Sequence, residues 1–144
     1  MSIIDEIKDR LKDKISDWYE HNPKRIYFKV DKKDIREVAK VLFKDLELRF
    51  ATATGIDTPS GFEIVYHFSF DNSGQIISVR TIIEDKKSPK IDSLAVISPC
   101  FEWIEREIWE LLGIDFVGHP NLKHLLLIDD WPEGKYPLRC KRES

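Results

Sequence analysis

The sequence predicts an α+β fold: a single two-layer domain with a mixed or antiparallel sheet, helices on one face and an extended C-terminal tail. Three observations lead there. Helical and strand periodicities follow each other through the first third of the chain. Two alternating apolar runs, Phe62–Phe70 and Gln75–Ile83, flank the turn sequence Asp71-Asn72-Ser73-Gly74 and read as a hairpin. Beyond Gly113, Pro120, Pro132 and Pro137 interrupt any periodicity. Helix, strand, helix, a meander of strands and a last helix make an α+β order, here an α+β domain over residues 1–118 and an extended tail over 119–144.

Each element has its own reason. Ile3, Ile4, Ile7, Leu11, Ile15 and Trp18 recur at helical spacing, so an amphipathic helix is expected to run until Pro23 forbids it. Ile26, Phe28 and Val30 alternate within Arg25–Val30, a strand. Asp31 is a good N-cap for a second helix carrying Ile35, Val38, Ala39, Leu42 and Phe43 on one side and stopping near Asp45. Leu46, Leu48 and Phe50 give a further strand, and Gly55–Gly61 is a loop by composition. In the central strand Phe62, Ile64, Tyr66, Phe68 and Phe70 line one face, with His67 on the other. Glu84–Lys90 is a charged connector and Leu94–Ile97 a short turn. The last helix spans Phe101–Leu112, with Gly113 just past its end.

Composition bounds the function. The chain has 144 residues, enough for a core without metal or disulfide staples, and 42% of them are hydrophobic. A formal net charge of -3 argues against a nucleic-acid binder, and the aromatic stripe of the central strand is better read as core than as a base-stacking platform. Cys100 and Cys140 form no framework, which makes a reducing compartment the default. No run approaches the roughly 18 apolar residues of a membrane span, and charge from Asp5 onward gives no signal peptide. One Gln and three Asn among 34% charged residues resemble thermophile usage.

Patterns that carry chemistry are sparse. The sequence has no GxGxxG, P-loop or HExxH. His119 and His124 are five residues apart, the wrong spacing for one helical face, so no metal site is expected. Two cysteines cannot ligate an iron–sulfur cluster alone, so no cofactor is expected. The informative segment is Glu102–Glu110. Ile104, Ile108 and Leu111 share a face, with Phe101 beside it, and Glu107 lies partly desolvated on its flank. Trp109 falls on the polar side, near Glu102, Glu105 and Arg106, as an interface Trp would. The plainer reading of these charges is a pair of surface i,i+4 contacts, Glu102–Arg106 and Arg106–Glu110. The apolar tail residues, from Leu122 through Trp131, Tyr136 and Leu138, are laid over their own domain or docked on a partner.

These residues also carry a resemblance. Glu105-Arg106-Glu107, then Glu110-Leu111-Leu112-Gly113-Ile114, Phe116, Gly118-His119-Pro120, Leu122-Lys123 and Leu125-Leu126 resemble the signature of the 30-kDa subunit of respiratory complex I, the C subunit of NADH:quinone oxidoreductase. Phe62–His67 resembles that family's central strand, and Asp129-Asp130-Trp131 with Pro137-Leu138-Arg139 its tail, so the likeness covers about residues 46 to 139. Two features depart from it: Cys140-Lys141-Arg142 stands where members continue Lys-Asp-aromatic-Pro, and the chain is short. Shorter relatives occur in group 4 energy-converting [NiFe] hydrogenase complexes. The resemblance implies a non-catalytic subunit with no active site of its own. It would bind the [NiFe]-hydrogenase-like large subunit in the peripheral arm, on the cytoplasmic side of the membrane and beside other peripheral-arm subunits. The implied interface comprises Glu105, Arg106, Glu107, Trp109, Glu110, Gly113, His119, Pro120, Lys123, Trp131, Leu138 and Arg139. Two other readings stay open: a free-standing binding module for a soluble partner, and a small enzyme using His119, Cys100 or Glu107.

Overall fold

The computed structural model describes residues 2–120. The elements in chain order are α1 (Ile3–Leu11), β1 (Ile15–Asn22), β2 (Arg25–Val30), α2 (Ile35–Lys40), β3 (Arg49–Thr58), β4 (Gly61–Phe70), β5 (Gln75–Ile83), β6 (Lys90–Asp92), α3 (Glu102–Leu112) and β7 (Asp115–Val117). Five strands form one sheet in the order β1-β2-β5-β4-β3. The sheet is mixed: β1 and β2 pair antiparallel, whereas β2 and β5 pair parallel, with Phe28 opposite Val79. The α+β class is as expected, and of the two sheet types expected, mixed or antiparallel, the sheet is mixed.

The contacts fall into two compact units. The first holds residues up to Thr54 together with Ile64–Thr81. Its core is made by the inward residues of the alternating strands, Ile26, Phe28, Val30, Tyr66, Phe68, Ile77 and Val79, and by the apolar stripes Ile3, Ile7, Leu11 of α1 and Ile35, Val38, Ala39 of α2, all buried. Ser2 caps α1 by accepting from the Asp5 amide at 3.2 Å, and Asp31 caps the turn leading into α2 by accepting from the Lys33 amide at 3.1 Å. A π-helical turn, Val41–Asp45, continues α2 and ends it at the predicted place.

One expectation fails here. Helix α1 stops at Leu11, and Ile15–Asn22 is a strand instead of a continuation. Trp18, which the helical count placed on the apolar stripe, stacks on Phe28 with ring centroids 5.6 Å apart and planes 5° from parallel. Pro23 marks a tight turn between β1 and β2 and not a helix end: the Lys24 amide donates to Asn22 Oδ1 at 2.8 Å, an Asx turn. A cross-strand aromatic stack outweighs the modest propensity of a charged helix extension.

The second unit contains Gly55–Glu63 and, among the described residues, Ile82–Pro120. Its described core is Phe62, Ile83, Ile91, Leu94, Phe101, Ile108, Leu112, Ile114 and Phe116. The predicted loop Gly55–Gly61 is mostly strand: β3 runs to Thr58, and Thr58 Oγ1 donates to the Gly61 carbonyl at 2.6 Å across a turn of only Pro59 and Ser60. Strand β7, unforeseen in the irregular region after Gly113, pairs parallel with β6, Phe116 opposite Ile91.

Candidate partner interface

Helix α3 is built for burial. A 3-10 turn, Pro99–Phe101, leads into it, capped by Ser98, which accepts from the Cys100 amide at 3.4 Å. Gly113 ends it in the left-handed conformation (φ 79°), and its amide donates to the Trp109 carbonyl at 2.8 Å, as the sequence predicts for a C′ glycine. Strand β3 meets the helix at Gly55, where a Cβ would stand 2.7 Å from Leu112 Cδ1 and 3.1 Å from Ile108 Cγ2. Glycine at 55 therefore permits a close approach of backbone to helix. Composition suggested a loop there.

The charged signature is turned inward. Glu105 is fully buried, and its carboxylate accepts from Ser93 Oγ at 2.6 Å and from the Leu94 amide at 2.7 Å. Ser93 in turn accepts from the Ala95 amide at 3.1 Å, and its own amide donates to Val117 O at 2.9 Å. The carboxylate thus ties α3 to the turn after β6 and, through Ser93, to β7. Arg106 and Glu110 are also buried, so they are not the solvated i,i+4 surface pairs of the plainer sequence reading. The Arg106 guanidinium lies 4.9 Å from the Trp103 ring centroid, a cation–π contact.

The helical count is corrected at two further positions. Glu107 is half-buried, as expected, but the wholly desolvated carboxylates are Glu105 and Glu110. Trp109 is half-buried, and the outward Trp is Trp103, 62% exposed. His119 Nε2 lies 3.0 Å from the Glu102 carbonyl oxygen. A carbonyl only accepts, so that nitrogen carries the proton and pins the chain beyond β7 to the start of α3. Pro120 is exposed. Lys123, Trp131, Leu138 and Arg139 lie outside the described residues, as does all of the tail beyond Pro120. Sequence reasoning missed Ser93 and Trp103; the only available signal for Ser93 was a small polar residue just ahead of the short apolar run Leu94–Ile97.

Cys100 is exposed with a free thiol. Among the described residues no group of three or more His, Cys, Asp or Glu side chains is placed to hold a metal ion, and no helix is long and apolar enough to cross a membrane.

The family model described as "Respiratory-chain NADH dehydrogenase, 30 Kd subunit" matches residues 28–143. The chain belongs to this 30-kDa subunit family. Its members are subunits of complex I-like or related membrane complexes, and this chain is one of them. It is 33% identical to the C subunit of F(420)H(2) dehydrogenase from Methanosarcina mazei, covering 99% of this chain and 91% of that one. It is 34% identical to the C subunit of NADH-quinone oxidoreductase from Citrifermentans bemidjiense, over 93% of this chain and 83% of the relative. The corresponding protein of Chloroherpeton thalassium is longer: the match, 34% identical, spans 92% of this chain and 56% of it. Two solved structures share the fold of this family member. A chain of the membrane-bound sulfane sulfur reductase, an archaeal respiratory membrane complex, superposes with a TM-score of 0.84 at 24% identity over 95% of this chain and 81% of that chain. A trypsin-resistant fragment of Nqo5 superposes with 0.65 at 20% identity, over 83% and 96%.

Proposed function

We propose that this family member is a non-catalytic structural subunit that binds the large, [NiFe]-hydrogenase-like subunit of its complex in the peripheral arm, on the cytoplasmic side of the membrane. The observation that carries the reading is the use made of the family signature. Glu105 is spent on internal hydrogen bonds to Ser93 and Leu94, while Trp103, on the same helix, is left 62% exposed. A large exposed aromatic that packs against an Arg guanidinium is the kind of residue that anchors an interface. The F(420)H(2) and NADH-quinone relatives are each named as one subunit of an enzyme, which agrees with a role beside other subunits. In this reading residues 1–118 are the body and 119–144 the docking tail, with Lys123, Trp131, Leu138 and Arg139 on the contact.

The test is assembly. Trp103→Ala in the complete complex is expected to lower the affinity for the large subunit by about 30-fold, the size of an interface hot spot. The variant should melt within a few degrees of the parent. An unchanged large-subunit stoichiometry under dilution would remove Trp103 from the contact. Trp109→Ala is the comparison: half-buried in the fold, it should cost stability before it costs assembly.

A further inference from the structure

The first unit carries an open trough of about 670 Å³ on the outward face of its strands, away from the signature helix in sequence and in unit. Its chemistry follows from strand alternation. Ile26, Phe28 and Val30 are buried, so Arg25 and Tyr27 point the other way, and on β5 the residues between buried Ile77, Val79 and Thr81 do the same. Arg25 and Arg80 thereby bring two guanidinium groups to one face, with Val65 at the floor. Tyr19 and Tyr27 form an aromatic wall, ring centroids 6.1 Å apart. Tyr19 Oη is 3.2 Å from His21 Nδ1, and Asp17 is the one carboxylate among the lining residues. The positive charge extends along this face: burial first, and the Arg25 charge second, hold His67 below the usual histidine range.

Three features define what would fit. Two guanidiniums beside tyrosine rings suit carboxylates carried on a polypeptide, and Arg and Tyr are the residues enriched at protein interfaces. The walls are open: Tyr19 is 56% exposed, so a small molecule would stay half in water, whereas small-molecule sites bury most of their ligand. Pairing along the sheet edge is disfavoured. β1 ends the sheet, but its register shifts between Ser16 and Tyr19 and again between Glu20 and Asn22, and Asp17 takes a positive φ of 50°. Such bulges break the row of backbone groups that a new strand would need. The occupant must therefore lie across the face and not along the edge.

We propose that this trough seats an extended acidic segment of another subunit of the complex, its Asp or Glu carboxylates held by Arg25 and Arg80 and its chain laid over the rings of Tyr19 and Tyr27. The proposal requires only that the chain sits among other subunits. It holds whichever of them supplies the segment, and it stands or falls separately from the role of Trp103.

The experiment uses the assembled complex with p-benzoylphenylalanine in place of Tyr19. Irradiation is expected to link this chain to a peptide of another subunit that carries Asp or Glu beside the attachment point. Links confined to this chain, to a second copy of it, to lipid, or to a segment without carboxylates overturn the proposal. Arg25→Gln with Arg80→Gln should then weaken retention of the chain by about tenfold or more, increasingly so with salt. Arg25→Glu should be rescued by reversing the charge of the linked carboxylate, and failure of that rescue overturns the assignment of Arg25. Both arginines are exposed, so the fold is expected to survive. If a thermal melt shows otherwise, the crosslink decides.

Discussion

A carboxylate with no access to water, Glu105, fixes the second unit around one group. Desolvating it costs several kcal/mol, offset by the two short hydrogen bonds from Ser93 Oγ and the Leu94 amide. Glu105→Ala would leave both donors buried and unsatisfied. It is expected to destabilise the chain by about 2–4 kcal/mol, and Glu105→Gln by less, because an amide oxygen keeps one acceptor. Denaturant unfolding of the two variants checks the order; equal losses would mean that packing and not the hydrogen bonds matters. His67 makes a second prediction. Burial first, and the charge of Arg25 second, lower its pKa from 6.5, while Nδ1 lies 2.8 Å from Ser78 Oγ. The unfolded chain then binds the proton more readily than the folded one, so stability is full above pH 6.5 and is lost as pH falls through that value toward the lowered folded-state pKa. Thermal melts across this range should show the loss, and His67→Asn should reduce it.

At the scale of elements, α3 shows why a helical wheel succeeds and fails. Its existence, its end at Gly113 and the burial of Ile108 follow from apolar spacing and a C′ glycine, whereas Ile104 and Leu111, counted on the same face, are only half-buried. Its buried side is wider than the apolar residues predict, because it includes Glu105, Arg106 and Glu110. The count treats charge as solvent-facing, and only partners such as Ser93, twelve positions away, make the inward arrangement tolerable. The same limit applies to β1. Ile15 and Trp18 fit a helix in sequence, and the stack on Phe28 that goes with the strand lies across the hairpin, beyond the three- and four-residue spacing a helical count reads. Gly55 belongs at this scale too. Gly55→Ala should cost about 1–3 kcal/mol by driving a methyl group into Leu112 and Ile108. Pairing it with Leu112→Ala should recover part of the loss in a double-mutant cycle; strict additivity would rule out the proposed close contact.

For the whole molecule, assembly is the property to measure. A truncation meant to remove only the tail must spare β7, since Asp115–Val117 pairs with β6 and His119 holds the Glu102 carbonyl. Cutting after Pro120 keeps every helix and strand from α1 to β7. It should leave a folded chain, judged by its circular dichroism, that no longer co-purifies with the large subunit. A truncated chain that still assembles would take the tail out of the contact. The sequence by itself determined the α+β class, the alternating strands, the caps at Asp31 and Gly113, and the family, because each rests on local propensity, short-range periodicity or fixed spacing. Only the tertiary structure decided which Trp faces water, which carboxylate is buried, that Ile15–Asn22 is a strand, and that Arg25 and Arg80 share a face. Those outcomes depend on partners distant in sequence, and the free energy of burying a charge or stacking a ring is set by the partner and not by the residue.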